Sequence, residues 1–281
     1  MNANVHSDFA RDYVAIMSAP NGARRMRSDV PSLPVTAGQM AETAAELLEA
    51  GVSILHLHVR DADEQHTLDP DAYRQSMAGV RDVVGDKLLI QVTTEAVGIY
   101  NRHQQMEVVR KLRPEAVSLA LRELCPDEGA EAEAAEFFAW LVSENIWPQY
   151  ILYSEADVAR FDRLRQKGLF ADDAPFAMLV LGAYADGRAG TIEELDGQLA
   201  AADTSSFPWA MCCFGPNEHV AALAAVEAMG HVRLGFENNV VMADGQPAPG
   251  NAALVSQFVN ALSGPRAVAS ADDIRERWLA R

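Results

Sequence analysis

The chain has 281 residues, 49% hydrophobic and 22% charged, with 18 Gly and 13 Pro, a composition that excludes a disordered or collagen-like chain and leaves enough apolar sequence for a sizeable core. Its 40 acidic against 23 basic residues give a formal charge of −17, a field that repels phosphate backbones and anionic bilayers, so neither nucleic acid nor membrane is an expected partner. No apolar run approaches the ~20 residues of a membrane-spanning helix, and Met1–Ala10 has neither the basic start nor the apolar stretch of a signal peptide; the expected location is cytoplasmic.

In chain order, short apolar and β-branched runs alternate with longer segments of helical period. Tyr13–Ser18 (YVAIMS) reads as the first strand and Thr36–Glu49 as the helix after it, with Thr36 as N-cap and Gly51 as terminator. Ser53–Val59 (SILHLHV) and Asp71–Val84 form the second pair, Leu88–Thr93 and Gln104–Leu112 the third, and Ala116–Ala120 and Glu131–Glu144 the fourth. Then come Gln149–Tyr153 with Ala156–Lys167, and Pro175–Leu181 with Ile192–Ala202, the latter helix capped by Thr191 and opening on Glu193 and Glu194. Trp209–Phe214 with Glu218–Met229 and His231–Phe236 with Ala252–Leu262 complete the series.

Eight strand-helix units close naturally as an α/β fold of the (β/α)8 TIM-barrel type, where a doubly wound sheet stops sooner. No linker, low-complexity tract or composition shift marks a boundary, so residues 1–281 are expected to form a single barrel domain, with Ala269–Arg281 as a short added helix. Cys125, Cys212 and Cys213 make no even disulfide framework and have no zinc-finger spacing; they read as reduced core thiols.

In such a barrel the C-terminal strand ends converge on one mouth. The second strand ends in HLHVRD, His56 to Asp61. Residues two apart share a strand face, so His56 and His58 project together and Leu57 points to the helices. A metal site needs a third ligand, and Glu237 stands where the eighth strand, HVRLGFENN, meets its loop. Only the first strand separates the eighth from the second, which makes His56, His58 and Glu237 a 2-His-1-carboxylate candidate with open positions. Thr93, Thr94, Ser118 and Arg233 are further polar residues at strand ends, with β propensity or backbone bonding as the plainer account of the hydroxyls. Arg60 and Asp61 are either an ion pair behind the ligands or a solvated loop pair. His6, His66, His103 and His219 fall in expected loops or helix starts, and His231 opens its strand at the opposite end of the barrel. No GxGxxG after a strand, Walker loop, HExxH or GxSxG occurs.

These residues, and the stretches PSLPVTAGQMAETAAELLEAGVSILHLHVRDADE, LLIQVTT, GHVRLGFENNVV and NAALVSQ, resemble the β-keto acid cleavage enzymes, of which the 3-keto-5-aminohexanoate cleavage enzyme is the named example. The similarity runs nearly end to end, and the combination of HLHVRD with HVRLGFEN carries it. The resemblance implies a zinc-dependent barrel, a homotetramer, with one Zn2+ per chain on His56, His58 and Glu237. The implied partners are a small-molecule β-keto acid and acetyl-CoA as co-substrate. The implied reaction is a reverse-Claisen-type acyl exchange giving acetoacetyl-CoA and a new CoA thioester. Thr93 and Ser118 map onto hydroxyl-bearing positions that hydrogen-bond substrate oxygens, and Thr94 stands beside them.

Two departures follow from the same resemblance. The family places an Asp after the metal-binding Glu, paired with the preceding Arg as a base; here Asn238 stands there, so Arg233, Asn238 and Thr93 form an altered catalytic set. After the first strand, an acidic residue that follows Gly-Ala in the amino-substrate enzyme is replaced by Arg24, which would favour a substrate with an extra carboxylate over an amine. The strand continuations ALREL and QYILY lack the polar residues usual there. Two other readings share the metal pattern: a different metal-dependent C–C lyase or hydrolase, and a metal-bound protein that holds a keto acid or CoA ester without turning it over.

Overall fold

In the computed structural model, which describes residues 9–172, 174–184 and 187–279, eight almost wholly buried strands pair in parallel and close on themselves. They are β1 (Ile16–Ser18), β2 (Ile54–Leu57), β3 (Leu89–Thr93), β4 (Ala116–Ala120), β5 (Trp147–Leu152), β6 (Phe176–Leu181), β7 (Trp209–Cys213) and β8 (His231–Leu234). Closure runs through β1, whose Met17 is in register with Arg233 of β8 on one side and Ile54 of β2 on the other. The eight outer helices are α1 (Ala37–Glu49), α2 (Pro70–Val84), α3 (Arg102–Leu112), α4 (Glu131–Ser143), α5 (Glu155–Gln166), α6 (Ile192–Ala200), α7 (Glu218–Glu227) and α8 (Asn251–Ala261).

Helix starts follow the caps. Thr36, Asn101 and Thr191 each accept the backbone N–H three residues on, while Gln39, Gln104 and Glu194 return the bond, a reciprocal box at each N-terminus. Asn101 therefore starts α3 at Arg102, ahead of the expected Gln104, and Asp69 with Pro70 starts α2 one residue before Asp71. None of the described helices is long and apolar enough to cross a membrane.

The period-two alternation of β2 divides the core. Leu55 and Leu57 pack in the layer between sheet and helices, whereas Ile54 joins Met17, Leu89, Trp147, Phe176 and Met178 inside the barrel. The floor is sealed by the chain end: Ser270 caps a single turn, Ala271–Ile274, which widens into a π-helical turn, Arg275–Leu279, and stacks Trp278 on Trp147. The expected terminal helix over Ala269–Arg281 is thus shorter, and residues 280–281 lie outside the described part.

Two expected strands are divided. Tyr13–Val14 leave the barrel to pair with Ala267–Val268, because the Ala15 N–H donates to the His231 Nδ1 (3.0 Å) instead of a strand neighbour. The second strand stops at Leu57, and Val59–Arg60 turn into an antiparallel hairpin with His66–Thr67. Asp61 holds that hairpin's turn by accepting the N–H groups of Asp63 and Gln65, both at 2.9 Å. Buried Arg60 donates to the carbonyls of Gly22 (2.7 Å), Arg25 (2.9 Å) and Glu64 (2.9 Å). Arg60 and Asp61 are therefore not an ion pair: Arg60 is buried and Asp61 exposed, each organises backbone, and Arg60 ties the loop after β1 to the end of β2. All three cysteines are buried and unbridged.

Candidate active site

His56 and His58 leave β2 on the inner side of the barrel with their Nε2 atoms 3.1 Å apart. Glu237 Oε2 lies 3.2 Å from His58 Nε2 and 3.6 Å from His56 Nε2. A tetrahedral ion with bonds of about 2.0–2.1 Å holds its ligands roughly 3.3–3.4 Å apart, so these spacings suit one. Glu237 Oε2 and His58 Nδ1 are also buried with no hydrogen-bond partner, a costly condition that a cation at the centre of the trio relieves at the carboxylate. The three side chains form a metal-capable cluster.

The protonation states agree with ligation. His56 Nδ1–H donates to Gln91 Oε1 at 2.8 Å, which orients the ring and leaves Nε2 as a bare lone pair. Burial, and then the Arg233 guanidinium, push His56 down to about 3, so it is neutral. Burial would raise Glu237, but Arg233 and His58 outweigh it and hold the carboxyl well below the usual range. It is a carboxylate.

The end of β8 is built to present that carboxylate. The Glu237 N–H donates to the Ala19 carbonyl (3.0 Å), Gly235 N–H to Glu218 Oε1 (3.1 Å), and Phe236 N–H to Asn251 Oδ1 (2.8 Å). Gly22 sits at φ +61°, where a Cβ would come within 2.6 Å of Glu237 Cγ; only glycine lets the loop after β1 lie against Glu237. Arg233 Nη2 donates to Glu237 Oε1 (3.2 Å) and to Cys212 Sγ (3.2 Å), and Nη1 lies 3.4 Å from His56 Nε2.

A cavity of about 330 Å³ opens above the trio, and Arg24, Thr93, Ser118 and Arg233 line it with His56 and Glu237. Arg24 shares its charge with Glu95, Nε to Oε1 being 3.7 Å. Thr93 Oγ1 accepts the Glu95 N–H (3.1 Å). Ser118 Oγ is buried without a partner. Three expected site residues, His58, Thr94 and Asn238, are not among the lining residues. Thr94 donates its hydroxyl to the Ser118 carbonyl (3.1 Å), a backbone role. Asn238 is fully buried in the turn after β8, its N–H on the Gly235 carbonyl (2.8 Å) and its carbonyl on the Gly215 N–H (3.0 Å), with both side-chain polar atoms unpartnered.

Other lining residues were not expected. Glu95 follows Thr94, and its Oε2 is 3.9 Å from His58 Nδ1; His66, expected to idle in a loop, is buried in the hairpin with Nε2 2.9 Å from the Glu95 carbonyl. Extending the period-two rule one step past Thr93 points to Glu95. ALREL and QYILY, read as lacking polar groups, supply Arg122, Glu123 and Tyr153, because a one-turn helix, Leu121–Leu124, turns the fourth-strand end into the mouth. His103 and His219 lie at the starts of α3 and α7, and His6 is outside the described residues.

Fold and site together define a (β/α)8 barrel with a two-histidine, one-carboxylate cluster at its catalytic end. A family model described as beta-keto acid cleavage enzyme matches residues 13–278, and the chain belongs to that family. It is 27% identical over 267 residues to a 3-keto-5-aminohexanoate cleavage enzyme of Acetoanaerobium sticklandii, covering 93% of this chain and 96% of the relative. It is 26% identical over 253 residues to a 3-oxoadipate:acetyl-CoA acetyltransferase of Cupriavidus necator, covering 86% of each. Among solved structures, a binary complex of ObcA with oxaloacetate superposes with TM-score 0.70 at 15% identity, over 88% of this chain and 67% of that one; this likeness concerns the fold.

Proposed function

We propose that the protein exchanges acyl groups between a β-keto acid and acetyl-CoA, with zinc held by His56, His58 and Glu237. The observation that carries the reading is the convergence of these three donors, two of their polar atoms unpartnered, at the mouth of a barrel of this family. Mass balance corrects the products expected from the sequence: one CoA enters, so one thioester leaves. The bond between the keto carbon and the carbon bearing the carboxylate breaks; that carbon takes the acetyl group to become acetoacetate, and the remaining acyl group leaves on CoA.

When bound, zinc supplies Lewis-acid polarisation of substrate oxygens. Arg233 fixes Glu237 and adds positive charge beside the same oxygens. Ser118 Oγ and Thr93 Oγ1 are placed to donate to them. Residue 238 cannot serve as base, because it is an amide. Proton removal falls to Glu95, the lining carboxylate that faces His58 and is held by Thr93 and His66.

The test is mass spectrometry of zinc-loaded protein with acetyl-CoA and a panel of β-keto acids, read for acetoacetate and a new acyl-CoA. Glu95→Gln should lower kcat by at least about 100-fold with zinc content unchanged. A fully active Glu95→Gln would remove Glu95 from the mechanism, and no product with any β-keto acid would overturn the reaction.

A further inference from the structure

Four guanidinium groups line the cavity, and three are engaged. Arg233 is buried against Glu237, Arg24 faces Glu95, and Arg188 pairs with Glu194. The fourth, Arg122, has no carboxylate within 4.0 Å among the described residues; its guanidinium carbon sits 3.6 Å over the centre of the Tyr153 ring. Its neighbour Glu123 does not serve it, since Glu123 Oε2 accepts from Gln105 Nε2 at 2.6 Å. Tyr153 is in turn fixed, its N–H donating to Asp157 Oδ2 at 2.9 Å.

This arrangement has a chemical reading. Stacking on an aromatic ring occupies the face of a guanidinium and leaves its edge, the fork of N–H donors that matches a carboxylate, free. The stack also removes much of the side-chain freedom that binding would otherwise cost. Position in the ring adds direction. The metal-capable trio is carried by β2 and the end of β8, and Arg122 follows β4, two strands from β2 and four from β8 in the closed order of eight; it lines the same cavity as His56 and Glu237. A ligand whose keto group sits at the trio can reach Arg122 with its other end through that cavity.

We infer that Arg122 is the specificity-determining residue for the distal end of the substrate, and that the substrate class is a β-keto acid with a second, terminal carboxylate. This rests on the β-keto acid reading above. Arg24, whose charge is shared with Glu95, is not the principal reader of that group.

Kinetics with 3-oxohexanedioate and 3-oxohexanoate, equal in length and differing in the terminal carboxylate, test the inference. The wild type should prefer the diacid in kcat/KM, and Arg122→Leu should lower kcat/KM for the diacid roughly 10- to 100-fold, mainly through KM, while leaving the monoacid within about threefold. Arg122→Lys should recover part of the loss, and Arg24→Leu should not reproduce it. A second readout does not depend on turnover: adipate should raise the Tm of the zinc-loaded wild type, hexanoate should not, and Arg122→Leu should abolish the adipate shift. Equal use of both keto acids, with no adipate shift, overturns the inference and leaves the reaction standing. No turnover, with an Arg122-dependent adipate shift, overturns the reaction and leaves the diacid site standing. A rise in KM for acetyl-CoA in Arg122→Leu, with diacid preference intact, assigns Arg122 to a CoA phosphate and overturns the inference.

Discussion

At the floor of the barrel, His231 is buried between Phe9, Phe176 and Trp278, and its Nδ1 accepts the Ala15 N–H. At the mouth, His56 and His58 are buried to the same degree, yet their Nε2 atoms face each other and a carboxylate. Burial therefore does not distinguish a structural histidine from a metal-capable one in this molecule. Where the lone pairs point does: at the floor the acceptor is used by backbone, at the mouth it is directed at a shared centre.

The contrast is broken most forcefully at the mouth. Glu237→Ala should reduce zinc from one per chain to under roughly a tenth and turnover by at least ~10³-fold, as read by elemental analysis and acyl-CoA formation. Normal zinc in that variant would remove Glu237 from the ligand set.

At the floor the expected effect is on stability and its pH dependence. Burial, then Arg266, push His231 down to about 3, so the folded protein resists protonation that the unfolded chain accepts near pH 6.5. A histidine depressed in this way contributes stability that is complete above 6.5 and is lost as pH falls toward 3. At pH 5 the loss is about 2 kcal/mol. His56 and His66 are lowered in the same direction. His231→Asn, which keeps an acceptor for Ala15, should flatten only part of the acid slope in thermal melts while zinc content holds. An acid slope identical to wild type would mean that His231 titrates normally.

The smallest expected effect separates two neighbours. Thr94→Val removes the bond to the Ser118 carbonyl and should cost about 1 kcal/mol of stability without changing KM. A KM change would bring Thr94 into the cavity.

The eight-strand barrel and the inward pairing of His56 with His58 are legible in sequence because both depend on period-two alternation, a local property. Glu237 was reachable by adding strand adjacency. What escaped depends on loop geometry. Arg122 looks like the start of an ordinary helix and enters the mouth because that helix stops after one turn. Glu95 lies just beyond the last strand residue, and its orientation is set by His66 from a hairpin whose existence follows from the early end of β2. Asn238 stands next to Glu237 in sequence, and two backbone bonds fix it in the turn after β8, where it is fully buried.

Closure through β1 also orders events in time. Arg233 and His56 are 177 residues apart in sequence and meet across the seam where the first and last strands join. A nascent chain halted before β8 carries both imidazoles and lacks the carboxylate, so it cannot assemble the full ligand set. Bringing such distant segments together is the slow part of forming a barrel, so the meeting of all three donors becomes a clock that reads the completion of folding.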